Sequence, residues 1–422
     1  MNSLATAVIE YVRAITDAGP ESVGFDGLRT FQHRTRIRQH LTGHAVDVVP
    51  VTIDLWPTVA CDSGCPLCQY RRSGARQASR SGDRAGYLTR ERAAAILESA
   101  ARCGVRSIIF TGGGEPLLNT EIADFAKLCC QNGLRWGLIT NGHMLSEPIA
   151  STLFAYAPAF LRVSLNAGSP ESYKNAYGLD ERFFDKTVRN TVAAGKLAAG
   201  RGQPVGVSFA LPSTTDDAEL SAIRKLIHRM VAESGRGVRF VVFRPMLEHY
   251  EGLQPICPQR QRQRFRDLPG AIKDLVVRPL IRDYPVDVRL DIKEGLFLTA
   301  GMEQLPLTCV SAGWMTTITD SGEGYMTGEL AGQESSGLAW GSVTSCQPFE
   351  VGWCGQLRRE LHELLVQGRI VMPLVHRTTP LDTFLQGLDK VTGGAIEEQL
   401  ADEVIGAVTS CRFYRSAAYD FV

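Results

Sequence analysis

The sequence predicts an α/β protein built around a partial (β/α)6 barrel, and three observations lead to this prediction. The 422-residue chain is 44% apolar and 21% charged, which is enough apolar material for a large core. Short runs rich in Val and Ile alternate with amphipathic stretches from residue 49 onward. Cysteines, glycines and polar residues follow the ends of several of these runs. A doubly wound open sheet is the alternative architecture.

The apolar runs predict parallel strands, because strands that alternate with helices form βαβ units. They lie at 49–56, 105–110, 135–140, 160–166, 204–211 and 238–243. The stretches between them predict helices near 89–103, 121–132, 146–156, 183–199 and 217–234. Thr89 is the expected N-cap of the first of these helices.

The flanking segments predict additions to this core. Residues 1–48 form an N-terminal helical extension, residues 49–250 the barrel core, and residues 251–422 a C-terminal α/β cap. Within the cap, an alternating segment predicts a β-hairpin that turns around Asp320–Gly324.

Charge and hydropathy argue against a nucleic-acid-binding protein and against a membrane protein. Forty-five basic residues balance forty-five acidic ones, which argues against a general nucleic-acid or membrane-surface binder. No apolar run approaches the ~18 residues of a membrane-spanning helix, and the N-terminus does not have the pattern of an export signal. We therefore expect a cytoplasmic protein without nucleic-acid or membrane partners, in which the eleven cysteines are not disulfides.

Three cysteines, Cys61, Cys65 and Cys68, share one short loop directly after the first predicted strand. Thiolates at this spacing can converge on a soft metal centre. A structural zinc site usually takes four ligands, whereas three ligands with no fourth nearby suit a [4Fe–4S] cluster that keeps one iron open. A zinc site and three unrelated cysteines are the alternatives.

Glycines and a carboxylate follow the second strand, at Gly113, Gly114 and Glu115. Consecutive glycines allow close approach to the backbone, and a carboxylate accepts hydrogen bonds from an ammonium group. In the fourth strand Arg162, Ser164 and Asn166 alternate and so share a face. Polar side chains on the lumen face of a barrel need a ligand, water or one another.

The cysteine spacing and the Gly-Gly-Glu-Pro turn at residues 113–116 resemble those of the radical S-adenosylmethionine (SAM) superfamily. The resemblance implies that Cys61, Cys65 and Cys68 hold a [4Fe–4S] cluster, that SAM binds its open iron, and that the 5′-deoxyadenosyl radical released from SAM abstracts hydrogen from a substrate. It also implies a set of SAM-binding residues: Gly113, Gly114, Glu115, Asn141, Ser164, Asn166 and Arg244.

The segment that begins at Cys309 resembles a SPASM/Twitch extension, although Thr327 stands where that pattern has its second cysteine. We favour a degenerate domain without metal. The alternative is an auxiliary iron–sulfur cluster held by Cys309, Cys346 and Cys354, with or without Cys411. By analogy with radical SAM epimerases, the first three are also candidate hydrogen donors. Asp54 on the first strand is a further catalytic candidate, for substrate contact or proton transfer.

The resemblance to radical SAM enzymes of secondary metabolism, such as antibiotic biosynthesis, implies an enzyme that acts on a small polyol, aminocyclitol, sugar or nucleoside by dehydrogenation, epimerisation or elimination. A peptide maturase and a non-catalytic zinc scaffold are the competing hypotheses. The arginine-rich loop at 71–86 is expected to be solvated. Its alternative roles are docking of a flavodoxin- or ferredoxin-type electron donor and binding of a substrate phosphate.

Overall fold

The structure is a computed structural model of the 422-residue chain. It describes residues 3–16, 30–66, 68, 70, 86–246, 250–251, 254–255, 259–283, 288–292, 297, 309–328, 330–331, 338–367, 369 and 379–410. Cys411 and nearly all of the arginine-rich loop lie outside these residues. In the described part of the chain, no helix is both long and apolar enough to cross a membrane.

A ten-stranded sheet forms the centre of the molecule. Its strands are β1 (Thr52–Leu55), β2 (Ser107–Phe110), β3 (Arg135–Thr140), β4 (Phe160–Ser164), β5 (Val205–Leu211), β6 (Val238–Pro245), β7 (Arg289–Ile292), β8 (Met315–Ile318), β9 (Glu323–Tyr325) and β10 (Ala339–Ser342). They are ordered β10-β9-β8-β1-β2-β3-β4-β5-β6-β7, and all neighbours from β8 to β7 are parallel.

The sequential order of β1 to β6 confirms the barrel-like prediction over the doubly wound sheet, in which the strand order reverses at a switch point. The helices that connect these strands are α3 (Arg90–Cys103), α4 (Ile122–Gln131), α5 (Glu147–Phe154), α6 (Pro170–Tyr177), α7 (Arg182–Ala199) and α8 (Asp217–Glu233). Thr89 caps α3 as predicted, because its side chain accepts a hydrogen bond from the backbone N–H of Arg92.

The two faces of the sheet differ in polarity. Ile53, Phe110 and Val163 point to the helices and belong to the main apolar core. Paired residues of neighbouring parallel strands point to the same side, and on the opposite, lumen-facing side Asp54 pairs with Thr317. Ser164 pairs with Ser208, and Val242 with Asp291, on that side. The lumen therefore carries polar and ionisable groups.

The C-terminal region joins this sheet. The predicted hairpin exists as β8 and β9, with an antiparallel pairing, but β8 also pairs along the whole of β1. Before β8 the region contains α9 (Gln259–Ile272), a π-helical segment (Lys273–Val277) and α10 (Arg278–Asp283). After β10 it contains α11 (Phe349–Trp353) and α12 (Gln356–Val366). The boundaries 1–48, 49–250 and 251–422 stay predictions, although hydrogen bonding in the sheet crosses the last two segments.

A second apolar core combines the two ends of the described sequence. The N-terminal helices α1 (Ser3–Thr16) and α2 (Arg34–Leu41) pack against α13 (Thr379–Thr392) and α14 (Glu398–Ser410). Val8, Val12 and Phe384 are fully buried in this core. The described parts of residues 1–48 thus contain the helices α1 and α2, and their apolar faces are covered by α13 and α14.

Candidate functional site

The cysteine loop begins at the carboxyl edge of the sheet, the edge at which β1 to β6 end. Residues 57–60 run beside residues 86–88: the backbone N–H of Val59 donates to Gly86 at 3.0 Å, and that of Leu88 donates to Pro57 at 2.9 Å. The side-chain amide of Asn119 donates to the carbonyls of Pro57, at 2.8 Å, and Leu88, at 2.9 Å. Asn119 therefore ties together the two ends of the loop.

The predicted cluster ligands share this loop and are half-buried thiols. In the described residues, however, no three His, Cys, Asp or Glu side chains form a group that could hold a metal ion. The donor chemistry and the position of Cys61, Cys65 and Cys68 nevertheless suit an iron–sulfur cluster, because soft thiolates lie at the mouth of a polar lumen. The structure does not gather their sulfur atoms into one ligand set.

The glycine turn after β2 packs directly on the cysteine loop. The backbone N–H of Gly114 donates to Thr58 at 3.1 Å, and that of Glu115 donates to Ala60 at 2.8 Å. A Cβ on Gly114 would lie 2.6 Å from the carbonyl carbon of Val59, and one on Gly113 would lie 2.9 Å from the Trp56 ring. In this structure the two predicted SAM-binding glycines let the loop approach the turn closely.

Glu115 is buried, with 3% of its surface exposed, and connects three neighbouring segments. Its Oε1 accepts hydrogen bonds from the hydroxyl of Thr140 at 2.5 Å and the backbone N–H of Leu117 at 3.1 Å. Its Oε2 accepts from the backbone N–H of Asn141 at 2.7 Å. Burial raises the pKa of Glu115 to about 7, against the opposing effect of these hydrogen bonds. Its carboxylate links the ends of β2 and β3; contact with SAM stays a prediction.

The segment between the first two cysteines is held by the end of β3. The side-chain amide of Asn141 donates to Oδ1 of Asp62 at 2.6 Å and to the hydroxyl of Ser63 at 3.0 Å. Nδ1 of His143 lies 2.9 Å from Oδ2 of Asp62. Burial raises the pKa of Asp62, but the hydrogen bonds from His143 and Asn141 outweigh it and the net pKa is lowered. Asn141 thus contacts the cysteine loop, and its predicted contact with SAM stays a prediction.

The fourth strand ends in a second polar group around Tyr177. Asn166 has a left-handed φ of 55°, its side-chain oxygen accepts from the backbone N–H of Ala210 at 2.8 Å, and its amide donates to the Tyr177 hydroxyl at 3.0 Å. The Tyr177 hydroxyl donates to the carbonyl of Ser164. Burial raises the pKa of Tyr177 well above its usual range. Asn166 is therefore held by hydrogen bonds within the protein, which was the alternative interpretation of this polar trio, and its contact with SAM stays a prediction.

Of the remaining candidates, Asp54 lies on the lumen face and is 7% exposed. Arg244 pairs in register with Ala210 and is exposed near the carboxyl edge. Its positive charge lowers the pKa of Tyr177, against the larger opposing effect of burial. A role of either residue toward SAM or a substrate stays a prediction.

The C-terminal cysteines are not brought together. Cys309 is fully buried and precedes β8 at the amino edge of the sheet. At this edge the backbone N–H of Val51, just before β1, donates to the carbonyl of Trp314, just before β8, at 2.8 Å. Cys354 follows Trp353, whose indole N–H donates to Val48, just before β1, at 3.1 Å. Cys346 lies in the exposed segment between β10 and α11. Among the described residues these thiols form no metal group, and two of them lie at the edge opposite the cysteine loop.

Sequence reasoning missed Asp62, His143, Tyr173 and Asn119. Each of them contacts residues that are distant in sequence. Asp62 and His143, for example, are 81 residues apart. One available signal was position, because His143 follows Asn141 and Gly142 at a strand end.

Residues 57–226 match the family model described as the Radical SAM superfamily. This chain contains a radical SAM domain. The superfamily uses a [4Fe–4S] cluster and SAM, and the type and placement of the thiols at Cys61, Cys65 and Cys68 suit such a cluster. The match ends at residue 226, so the SPASM/Twitch likeness of the C-terminal region stays a prediction.

Curated relatives of the radical SAM domain are enzymes of different specificities. The AdoMet-dependent heme synthase of Methanosarcina barkeri (strain Fusaro / DSM 804) is 32% identical over 126 residues, which are 30% of this chain and 34% of that protein. The dTDP-4-amino-4,6-dideoxy-D-glucose ammonia-lyase of Streptomyces venezuelae is 25% identical over 234 residues, 54% of this chain and 46% of that protein. The matched segments thus span about a third to a half of these relatives.

Solved structures agree on the fold. The structure of Streptococcus suis SuiB has a TM-score of 0.55 at 13% identity and covers 77% of this chain and 71% of that chain. Native anSMEcpe with bound AdoMet has a TM-score of 0.53 at 14% identity and covers 86% of this chain and 100% of that chain.

Proposed function

We propose that this protein is a radical SAM enzyme that abstracts hydrogen from a small polar molecule, such as a polyol, aminocyclitol, sugar or nucleoside, in secondary metabolism. One observation carries the proposal: the loop with three cysteines and the Gly113–Glu115 turn are hydrogen-bonded to each other at the carboxyl edge of a parallel sheet. This edge is where α/β barrels place their chemistry.

The chain's own residues supply binding and orientation. A [4Fe–4S] cluster bound by Cys61, Cys65 and Cys68 would supply the electron that cleaves SAM to methionine and a 5′-deoxyadenosyl radical. Glu115 and Asn141 fix the strand ends beneath the loop, so the loop and any bound SAM share one rigid support. The buried apolar core behind the sheet separates this edge from solvent on the helix side.

The lumen face supports a polar substrate. Asp54 and Asp291 are buried on this face, and Arg162 lies on it half-buried. These side chains make the lumen face polar and charged, and a few polar groups at a binding site fix the orientation of a ligand, so a substrate that carries hydroxyl, amine or phosphate groups suits this surface. The ammonia-lyase relative is named for an amino-sugar nucleotide, which is in keeping with this class.

The test is purification without oxygen followed by metal analysis. We expect about four iron and four sulfide per chain, lost when Cys61, Cys65 and Cys68 are all changed to Ala. Cys130→Ala, which alters an exposed thiol elsewhere, is the control and should keep the iron. Stoichiometric zinc in place of iron would refute the proposal and favour the scaffold hypothesis.

Substrate class requires a second measurement. The protein is incubated with dithionite, SAM and dTDP-4-amino-4,6-dideoxy-D-glucose in D₂O, and 5′-deoxyadenosine and the sugar are followed by mass spectrometry. Faster formation of 5′-deoxyadenosine with the sugar supports a carbohydrate-like substrate, and deuterium in the product indicates epimerisation. Stimulation by a peptide instead would favour the maturase hypothesis. Replacing dithionite by a reduced flavodoxin tests the proposed electron donor.

A further inference from the structure

A continuous line of polar side chains runs from Asp62, which is exposed in the cysteine loop, into the buried helical layer. Oδ2 of Asp62 lies 2.9 Å from Nδ1 of His143, Nε2 of His143 lies 2.6 Å from the Tyr173 hydroxyl, and that hydroxyl lies 3.1 Å from the hydroxyl of Thr187. His143, Tyr173 and Thr187 are at most 1% exposed. Asp62 is the residue directly after Cys61.

The Asp62 carboxylate fixes the direction of the first hydrogen bond, and the protonation of the His143 ring fixes the direction of the others. A carboxylate only accepts, so Nδ1 of His143 carries a hydrogen and donates to Asp62. In the arrangement with Nε2 unprotonated, this nitrogen accepts from the Tyr173 hydroxyl, whose oxygen accepts from Thr187. Every polar hydrogen in the line has an acceptor, which is the condition for a buried polar network to hold a unique arrangement.

The same loop segment is held from a second direction by the end of α6. The backbone N–H of Gly64 donates to the carbonyl of Tyr177 at 2.8 Å. The Tyr173 and Tyr177 rings stack with centroids 4.4 Å apart, so the hydroxyl that meets His143 and the carbonyl that meets Gly64 belong to one packed unit. Segment 62–64, between the first two cysteines, is therefore fixed at both of its ends.

We propose that His143 and Tyr173 are positioning residues that hold segment 62–64, and through it Cys61 and Cys65, at the mouth of the barrel. The inference rests on the proposed function, because it assigns these residues a role toward the cluster that the cysteines bind. The line acts as one unit: removing the ring nitrogens of His143 takes away one of the donors to Asp62, and removing the hydroxyl of Tyr173 takes away the partner that holds the His143 ring, while Asn141 still donates to Asp62.

The first test uses the reduced protein without its cluster. Alkylation of Cys61 and Cys65 by iodoacetamide is followed by peptide mass spectrometry, with the exposed Cys130 as internal reference. Tyr173→Phe keeps the stacked ring but removes the hydroxyl, and we expect Cys61 to react about fivefold faster, as one lost hydrogen bond makes local opening more frequent. Equal rates in wild type and variant would overturn the proposal.

The matched control is Tyr11→Phe, which removes a tyrosine hydroxyl that donates to the carbonyl of Phe384 at 3.0 Å in the second core. It should lower thermal stability to a similar extent and leave the alkylation of Cys61 unchanged. His143→Phe should accelerate the reaction at least as much as Tyr173→Phe. The double variant should be no faster than His143→Phe alone, and additive effects would show that the two residues act separately.

The second readout is the cluster itself. After anaerobic reconstitution, Tyr173→Phe should lose iron to a chelator several-fold faster than wild type and Tyr11→Phe, and the electron paramagnetic resonance spectrum of its reduced cluster should change. If wild type holds no [4Fe–4S] cluster, the proposed function fails, while the alkylation rates still decide whether His143 and Tyr173 position the loop. If wild type holds the cluster and all variants match the control, the inference fails and the proposed function stands.

Discussion

Gly114 offers a direct test of how the cysteine loop is seated. A methyl group at this position would overlap the carbonyl oxygen of Ala60 and lie 2.6 Å from the carbonyl carbon of Val59 and 2.7 Å from that of Ala60. Real Cβ atoms do not approach backbone atoms this closely, so the loop must move away from the turn. The move breaks the hydrogen bonds that join Gly114 to Thr58 and Glu115 to Ala60.

We expect Gly114→Ala to lower the free energy of unfolding by about 3 kcal/mol, the upper range for overpacking at a site that cannot relax, and to reduce iron content. The control is Gly406→Ala, the same chemical change within α14, where a Cβ meets nothing within 4 Å. That variant should gain about 0.5–1 kcal/mol, because alanine favours a helix over glycine. Urea unfolding measures both. A Gly114→Ala midpoint equal to that of wild type would refute the close packing.

Three further predictions concern the site and the second core. Burial raises the pKa of Glu115 from 4.5 to about 7, so the folded protein keeps a proton that the unfolded chain has lost in that interval, and stability falls as the pH rises through it. Urea unfolding at about pH 5 and pH 7.5 should show wild type losing roughly 2–3 kcal/mol more than Glu115→Gln. Asn119→Ala should cost about 2 kcal/mol and some iron, because two loop carbonyls lose their donor. Asn132→Ala, which removes one bond at a helix end, should cost less. Phe384→Ala should cost about 3–5 kcal/mol by leaving a cavity without changing iron content, and Leu357→Ala, which is 48% exposed, should change stability little.

Local patterns predicted most of the fold. All six strands of the core were placed within a few residues, because alternation and β-branched runs are properties of neighbouring residues. Thr89 was recognised as a cap for the same reason. The joining of β8 to β1 was not predicted, since the two strands are more than 250 residues apart and a hairpin motif does not reveal its further partner.

The site residues stay predictions, and the structure shows which of them lie together. The cysteines and the Gly113–Glu115 turn carry a recognisable spacing, and the structure brings Asn141 to them. His143 and Tyr173 have no such spacing, because they serve Asp62 only after three separate elements have packed together. Among the described residues the C-terminal thiols form no metal group, and Cys309 and Cys354 lie by the amino edge of the sheet, a placement that depends on distant contacts and has no local sequence pattern.

The position of β8 also bears on any attempt to isolate the catalytic segment. Backbone groups of Thr52–Leu55 are occupied on one side by β2 and on the other by Met315–Ile318. A fragment that stops near residue 250 would uncover the backbone edge of β1 that pairs with β8, beside the loop that bears the thiols. Exposed strand edges template intermolecular pairing, and we therefore expect this fragment to self-associate. Solubility should return when residues 309–328 are included on the same polypeptide.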